Sequence, residues 1–306
     1  MLNFSMYRKF YKNLNNSVLI VAHLDDEIIF ASSLINHVKK IIICFCSNSN
    51  EKELTKSRRN LIKNFPNKKF IFLKLEENNA LLKKLCHKNL NRRFILHDEK
   101  EINYVKTRLE NDQDYNQFKR ILKNRLLLEL ESVDNVFTHN EWGEYGHFDH
   151  ININNIVREL TFKKNINLFC FGYIAERNFY CLKNYLKNIN PNESLELNTN
   201  KKIFQNFKEL YIDNNCWTWY ANYELPEKEF FYFIDSTKKG AIKTRNIKYS
   251  YINFLAMNKA LSFFIKKPLR ININNKFDVF IKIFLMRTLK MLTIPLKFLI
   301  NFKNKN

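Results

Sequence analysis

Glycine and proline are scarce in this chain, at 4 and 5 residues out of 306. That scarcity excludes collagen-like and flexible-linker architectures, which need both in quantity. Acidic residues are also outnumbered, 30 Asp and Glu against 51 Lys and Arg, for a net charge of +21. Heavy use of Lys, Asn, Ile and Phe is what an AT-rich genome writes, so this excess is a weak guide to partners. No run of apolar residues is long enough for an ordinary membrane-spanning helix. No apolar stretch precedes Lys12, which argues against a cleaved secretory signal and sets the expected location as cytoplasmic. Cys44, Cys46, Cys86, Cys170, Cys181 and Cys216 form no CxxC pair, and several sit in apolar runs, so buried reduced thiols are expected. What is abundant is apolar and aromatic. With 45% hydrophobic residues, 28 Phe and 14 Tyr, the chain supports a substantial core and is not disordered. Its length suits one large domain or one and a half.

Residues 17–22 (SVLIVA) form a short, β-branched apolar run that predicts a buried strand. The polar HLDDE of 23–27 follows, then the apolar IIFASSLI, as a loop and a helix with acidic residues at its positive end. Strands are predicted at 40–46, 69–75, 135–138, 165–174 and 230–234, and helices at 54–65, 80–90 and 117–131. The segment 97–115 reads as polar and highly charged, and the order of pieces between 175 and 245 is left open. Strands alternating with helices of this length imply a parallel sheet covered on both faces. In such sheets ligands bind at the carboxyl ends of the strands.

Two of those carboxyl ends carry unusual polar loops. One is His23-Leu24-Asp25-Asp26-Glu27 and the other runs from His139 to His150, containing Gly146-His147-Phe148-Asp149-His150. A lone His at a strand end is more often structural, and an acid at a helix start is more often a cap. Both loops at one sheet edge change that reading, because two His and one carboxylate with an open fourth position make a catalytic zinc set.

The two motifs resemble those of the PIG-L/LmbE-like deacetylases, zinc-dependent enzymes that remove acetyl groups from N-acetylated sugars. The family's AHPDDE corresponds to Ala22-His23-Leu24-Asp25-Asp26-Glu27. Its second motif, approximately THN-WGEYGH-DH, corresponds to Thr138-His139-Asn140, Trp142 to His147, and Asp149-His150. The resemblance spans about 17–159 and implies an α/β, Rossmann-like three-layer fold with a mostly parallel sheet. It also implies one Zn2+ per chain, or another divalent metal, held by His23, Asp26 and His150, with Asp25 as general base. A metal lowers the pKa of bound water toward about 7, and a carboxylate beside the ligands can take the proton as hydroxide attacks an acyl carbon. The leaving amine must be protonated, by Asp25 or by His147. A cationic His147, oriented by Asp149, would face the developing oxyanion, and Tyr145 occupies the place of a family tyrosine that assists it.

Leu24 stands where the family has proline, which removes a φ restraint and no ligand. Ala31 and Ser32 replace common glycines. Arg58 or Arg59 matches a family arginine that holds substrate, although the glutamate that usually follows is absent, and a solvated helix face is the competing reading. Trp217, Trp219 and Tyr220 suit either stacking on a sugar face or plugging the core. His37, His87 and His97 read as surface or locally bonded residues, and the family pattern gives His139 no ligand role.

From 266 to 306 there are ten Lys or Arg against Asp278 alone, with the basic residues in one sector of a helix and large aliphatics and Phe over the rest. The expected organisation is a deacetylase domain over 1–245, its motif-bearing core at 17–175, and a basic amphipathic extension over 246–306. The reading taken for 277–306 is binding to an anionic membrane surface, on the inner face of the cytoplasmic membrane, with a helix packed on the domain and solvated lysines as the competing one. Nucleic acid is not expected, since the basic residues are interleaved with aliphatics. The function expected is hydrolytic removal of an N-acetyl group from a nucleotide-, lipid- or glycan-linked amino sugar in surface polysaccharide or glycoconjugate synthesis. The alternatives are a catalytically silent membrane- or glycan-binding protein and an amidase for a non-sugar acylated amine.

Overall fold

The computed structural model describes residues 14–78, 99–175, 189–219, 223–234, 247–252 and 269–271. Strand β1 (Ser17–Val21) is buried along its whole length. Its period-2 alternation sends Val18 and Ile20 into one apolar core and Leu19 and Val21 into another on the opposite face. Strand β2 (Lys40–Ser47) divides its side chains in the same way, with Ile42 and Cys44 on the first face and Ile41 and Ile43 on the second. Burial on both faces explains why these strands read as continuous apolar runs. Strands β3 (Phe70–Glu76), β4 (Asn135–Thr138) and β5 (Asn167–Phe171) complete a parallel set in the order β3-β2-β1-β4-β5.

Helix α1 (Asp26–Ala31) follows β1 and packs Ile28, Ile29, Phe30 and Ala31 into the second core with Leu61 of α2 (Lys52–Lys63). Helices α3 (Glu99–Glu110), α4 (Gln113–Glu129) and α6 (Phe148–Lys164) cover the first face, while the one-turn α5 (Gly143–Gly146) sits in the loop after β4. The segment expected to be merely polar thus contains α3. Its Ile102, Val105 and Leu109 recur at helical spacing and are buried, a stripe masked in the sequence by the charges between them. The helix expected at 80–90 lies outside the described residues.

One predicted strand, 165–174, is two. The chain leaves the main sheet after Phe171, and Tyr173–Ala175 (β6) pairs in a second sheet with β9 (Ile247–Ile252), which in turn pairs with β10 (Leu269–Ile271). Gly172 makes the switch: its N–H donates to the Phe230 carbonyl at 2.6 Å and its carbonyl accepts the Ser250 N–H at 2.8 Å. A Cβ there would stand 2.6 Å from Tyr232 and 2.7 Å from the Phe230 side chain, so only glycine permits this approach. Past β5 the main sheet turns antiparallel, adding β8 (Lys228–Ile234) and then β7 (Ile189–Asn198).

Helix α7 (Lys201–Asp213), with an Asn200 cap, lays Phe204 and Tyr211 on the same face as α1. Ser32 and Ser33, at the end of α1, donate through both backbone and hydroxyl groups to the buried Glu229 of β8. The serine found in place of a glycine is therefore a tether between α1 and the antiparallel part of the sheet. Cys44, Cys46, Cys170 and Cys216 are free and buried, whereas Cys86 and Cys181 lie outside the described residues. Among the described residues no helix is long and apolar enough to cross a membrane. The amphipathic helix expected over 277–306 lies outside them.

Candidate metal centre

The strand order reverses at β1, whose neighbours are β2 and β4, and the loops that follow β1 and β4 meet at that point. The first loop brings His23 and Asp26 together. Asp26 Oδ2 accepts the His23 backbone N–H at 2.8 Å and lies 3.2 Å from His23 Nδ1. The second loop delivers His150 in the first turn of α6, with Nε2 3.3 Å from the same Asp26 oxygen. A tetrahedral ion with bonds of about 2.0–2.1 Å has edges of about 3.4 Å, so these spacings suit one. His150 Nε2 is buried without a hydrogen-bond partner, while its Nδ1 is held 2.6 Å from Glu144 Oε2. A buried, unpartnered imidazole nitrogen beside a carboxylate is what a metal ligand requires. His23, His147 and His150 also form a close donor group, as do Asp26, His139 and His150, and His23, Glu77 and Asp149.

Asp25 occupies the helix start with φ 93°, a left-handed backbone that costs a non-glycine residue about 1–3 kcal/mol. The loop holds it there through its own bonds. Its N–H donates to Glu27 Oε2 at 3.1 Å, and its carbonyl accepts the N–H groups of Ile28 and Ile29 at 3.2 and 3.0 Å. Glu27 is in turn bonded by the Tyr211 hydroxyl of α7. Leu24, where the family has proline, is fully buried in the second core, so packing replaces the ring as the restraint. The Asp25 carboxylate accepts the Thr218 backbone N–H at 3.2 Å and the Thr218 hydroxyl at 2.6 Å. Burial, followed by the charge of Asp26, pushes the Asp25 carboxyl up to about 7. Against the penalty of burial, His150, His139 and His23 hold Asp26 well below the usual carboxylate range.

The second motif is largely architectural. Asn140 donates to the Phe171 and Tyr173 carbonyls at 2.9 and 3.0 Å, and the Trp142 indole donates to the Tyr173 carbonyl at 2.9 Å. Together they clamp the corner at which β5 becomes β6. Gly143 has φ 65°, and a Cβ there would meet Ile151 Cγ1 at 2.9 Å, so the turn that aims α6 at the site needs glycine. Glu144 is fully buried at φ 53°, and against that burial His139 and His150 hold its carboxyl below the usual range.

Several expected roles change. Asp149 was expected to orient the His147 ring with its carboxylate; that carboxylate instead lies 3.2 Å from His23 Nε2 and accepts from Asn78 at 2.9 Å. Only the Asp149 backbone N–H reaches His147, at Nδ1 and 3.3 Å, the capping bond of α6. A cationic His147 is also not what the surroundings favour: burial, then His150 and His23, push its imidazole well below the usual range. Tyr145 stacks edge-on with His147 and His150 at 5.6 and 5.3 Å.

Of the two arginine candidates, Arg58 is buried and Arg59 is exposed. Arg58 donates to Glu77 at 2.6 Å, and its charge opposes the upward shift of Asp25. Trp219 lies 5.3 Å from the Tyr145 ring, whereas Trp217 packs on Phe204 at 6.1 Å with Lys208 over its face. Tyr220, His87 and His97 are outside the described residues, and His37 is exposed. Glu27, Glu77, Asn78, Glu144, Tyr211 and Thr218 were missed as site residues. Glu144 lay inside the quoted motif WGEYGH and Thr218 between the named Trp217 and Trp219, and Glu77 and Asn78 follow the carboxyl end of β3, the edge where ligands bind.

An α/β protein with a buried His and Asp cluster at its topological switch point is thereby defined as a candidate metalloprotein. Residues 18–161, which contain that cluster, match the family model of PIG-L, GlcNAc-PI de-N-acetylase, and this segment belongs to that family. No curated protein matches the chain. Among solved structures, a deacetylase of teicoplanin biosynthesis in complex with teicoplanin is 10% identical, with a TM-score of 0.41, covering 72% of this chain and 100% of its own. The zinc-inhibited form of teicoplanin deacetylase is 9% identical with a TM-score of 0.43 over the same shares, 72% and 100%. The A40926 pseudoaglycone deacetylase is 11% identical, with a TM-score of 0.40, covering 74% of this chain and 99% of its own.

Proposed function

We propose that the protein is a metal-dependent N-deacetylase acting on an N-acetylated amino sugar, with zinc as the metal. The observation that carries this reading is the meeting of His23, Asp26 and His150 around one carboxylate oxygen, with Asp25 adjacent, inside the segment that matches the family. Those three residues would hold the metal, which when bound supplies a Lewis acid that acidifies water and polarises the acyl oxygen.

The chain's own groups do the rest. Asp25 takes a proton from the attacking water, and Thr218 fixes the carboxylate for that transfer by two donated bonds. The same proton then passes from Asp25 to the departing nitrogen, which cannot leave as an anion. His147 and Tyr145, in ring contact with His150, stand ready to donate to the oxygen that gains charge. Asp149 acts one step back, steadying His23 through Nε2. Buried Arg58 and the Trp219 ring next to Tyr145 are the groups assigned to the sugar; Arg59 and Trp217 are not.

The test is acetate release from free, nucleotide-linked and lipid-linked N-acetylhexosamines by the purified full chain. Turnover of any one class that a chelator abolishes supports the proposal and identifies the substrate class. Metal binding without acetate release from any of them would shift the reading to an amidase for another acylated amine. Neither binding nor release would leave a catalytically silent protein of this fold.

A further inference from the structure

Glu144 is not among the residues to which the family resemblance gives a role, yet its buried carboxylate meets two imidazoles and a backbone N–H at the site. Its Oε2 lies 2.6 Å from His150 Nδ1 and 3.0 Å from His139 Nδ1. Its Oε1 accepts the Asn140 N–H at 2.8 Å, while Asn140 Oδ1 accepts the Glu144 N–H at 2.8 Å. This reciprocal pair keeps a buried residue at φ 53°, ψ −57°, a conformation that a non-glycine side chain rarely adopts. The two imidazoles are stacked, with centroids 3.9 Å apart and planes 20° apart.

Their far nitrogens have different fates. His139 Nε2 accepts the Ala22 backbone N–H at 2.9 Å, so the His139 proton sits on Nδ1, facing Glu144. Asn154 also holds the His139 carbonyl, at 2.7 Å. His139 is thus engaged at both nitrogens and at its backbone, tying the end of β1 to the loop after β4. His150 Nε2 has no such partner and lies beside Asp26.

Resting on the metal-centre reading above, we infer that Glu144 is a positioning residue: it holds the proton of His150 on Nδ1, presents Nε2 to the metal, and uses His139 as a second anchor that is not itself a ligand. A carboxylate behind a ligating imidazole raises its basicity and fixes its ring, and loss of such partners typically lowers metal affinity by about 10–100-fold. Glutamine cannot reproduce the arrangement. One carboxylate oxygen serves two imidazole N–H groups while the other serves a backbone N–H, so the amide NH2 faces a donor in either orientation.

The experiment is Zn2+ affinity of the full-length protein, measured by competition with a chromophoric chelator, for the wild type, Glu144→Gln and His139→Asn. The expected result is a loss of about 10–100-fold for Glu144→Gln and a loss below about tenfold for His139→Asn. Wild-type affinity in Glu144→Gln, or abolished binding in His139→Asn, would overturn the inference. A wild-type protein that binds no Zn2+ would instead overturn the metal centre itself, so the two failures are distinguishable. Should Glu144→Gln not fold, 15N-histidine NMR of the zinc-loaded wild type decides: a protonated Nδ1 and metal-shifted Nε2 on His150 support the inference, and metal on Nδ1 refutes it.

Discussion

Replacing Asp25 with asparagine is expected to lower kcat for acetate release by about 10²–10⁴-fold, the range that a positioned base contributes, while Zn2+ binding stays within a few-fold of wild type. At about 1.36 kcal/mol per decade this is a barrier increase of about 3–5 kcal/mol. The variant is a clean one for local reasons. Asparagine tolerates the left-handed backbone that Asp25 adopts at φ 93°, and its amide oxygen can still accept the two donors of Thr218. What it cannot do is take a proton from water or return one to the amine. Steady-state acetate release alongside bound-metal analysis reads both arms. A loss below tenfold would remove Asp25 from the role of base.

The second large effect separates ligand from neighbour among the clustered histidines. His23, His147 and His150 lie close enough for any three-histidine set to be written, yet only His150 presents a buried, unpartnered nitrogen next to Asp26. His147 Nδ1 is occupied in capping α6. His150→Ala is therefore expected to leave the protein without tightly bound metal and without turnover. His147→Ala should keep about one metal per chain and lose about a hundredfold in kcat, the low end of a single donor's contribution. Metal content by elemental analysis, with kcat for each variant, tests the pair. Metal lost from His147→Ala as completely as from His150→Ala would place His147 in the coordination set and displace Asp26 or His23.

The parts of the fold legible in the sequence were those written in a single period. Strand β1 and strand β2 are buried on both faces and appear as uninterrupted apolar runs, so they were found nearly to the residue. The loops after β1 and β4 were legible because each places His and acidic residues at the carboxyl end of a strand, and the parallel order brings both to one sheet edge. Helix α3 was hidden because its three buried positions are outnumbered by charges. The split at Gly172 was hidden because the apolar pattern continues across it, while the reason for the switch, contact with Phe230 and Tyr232, lies about sixty residues away.

The site followed the same division. His23, Asp25, Asp26 and His150 were legible as chemistry-bearing residues, and the structure brings them together. The groups that steady them were not. Thr218 reaches Asp25 and Tyr211 reaches Glu27 from the other half of the chain, and no local pattern encodes such a meeting. Asp149 shows the limit most directly. Two residues from His147 in sequence, it was expected to pair with that ring, but the helical turn beginning at Phe148 carries its carboxylate to His23 instead.

The central claim, catalysis by a metal held between the β1 and β4 loops, is tested most directly by titrating metal into chelator-stripped protein while acetate release is recorded. The expected result is no turnover in the stripped protein and activity that rises linearly to a plateau at about one Zn2+ per chain, as a single three-ligand catalytic site implies. Acetate release that persists undiminished in protein shown to contain no metal would contradict the account.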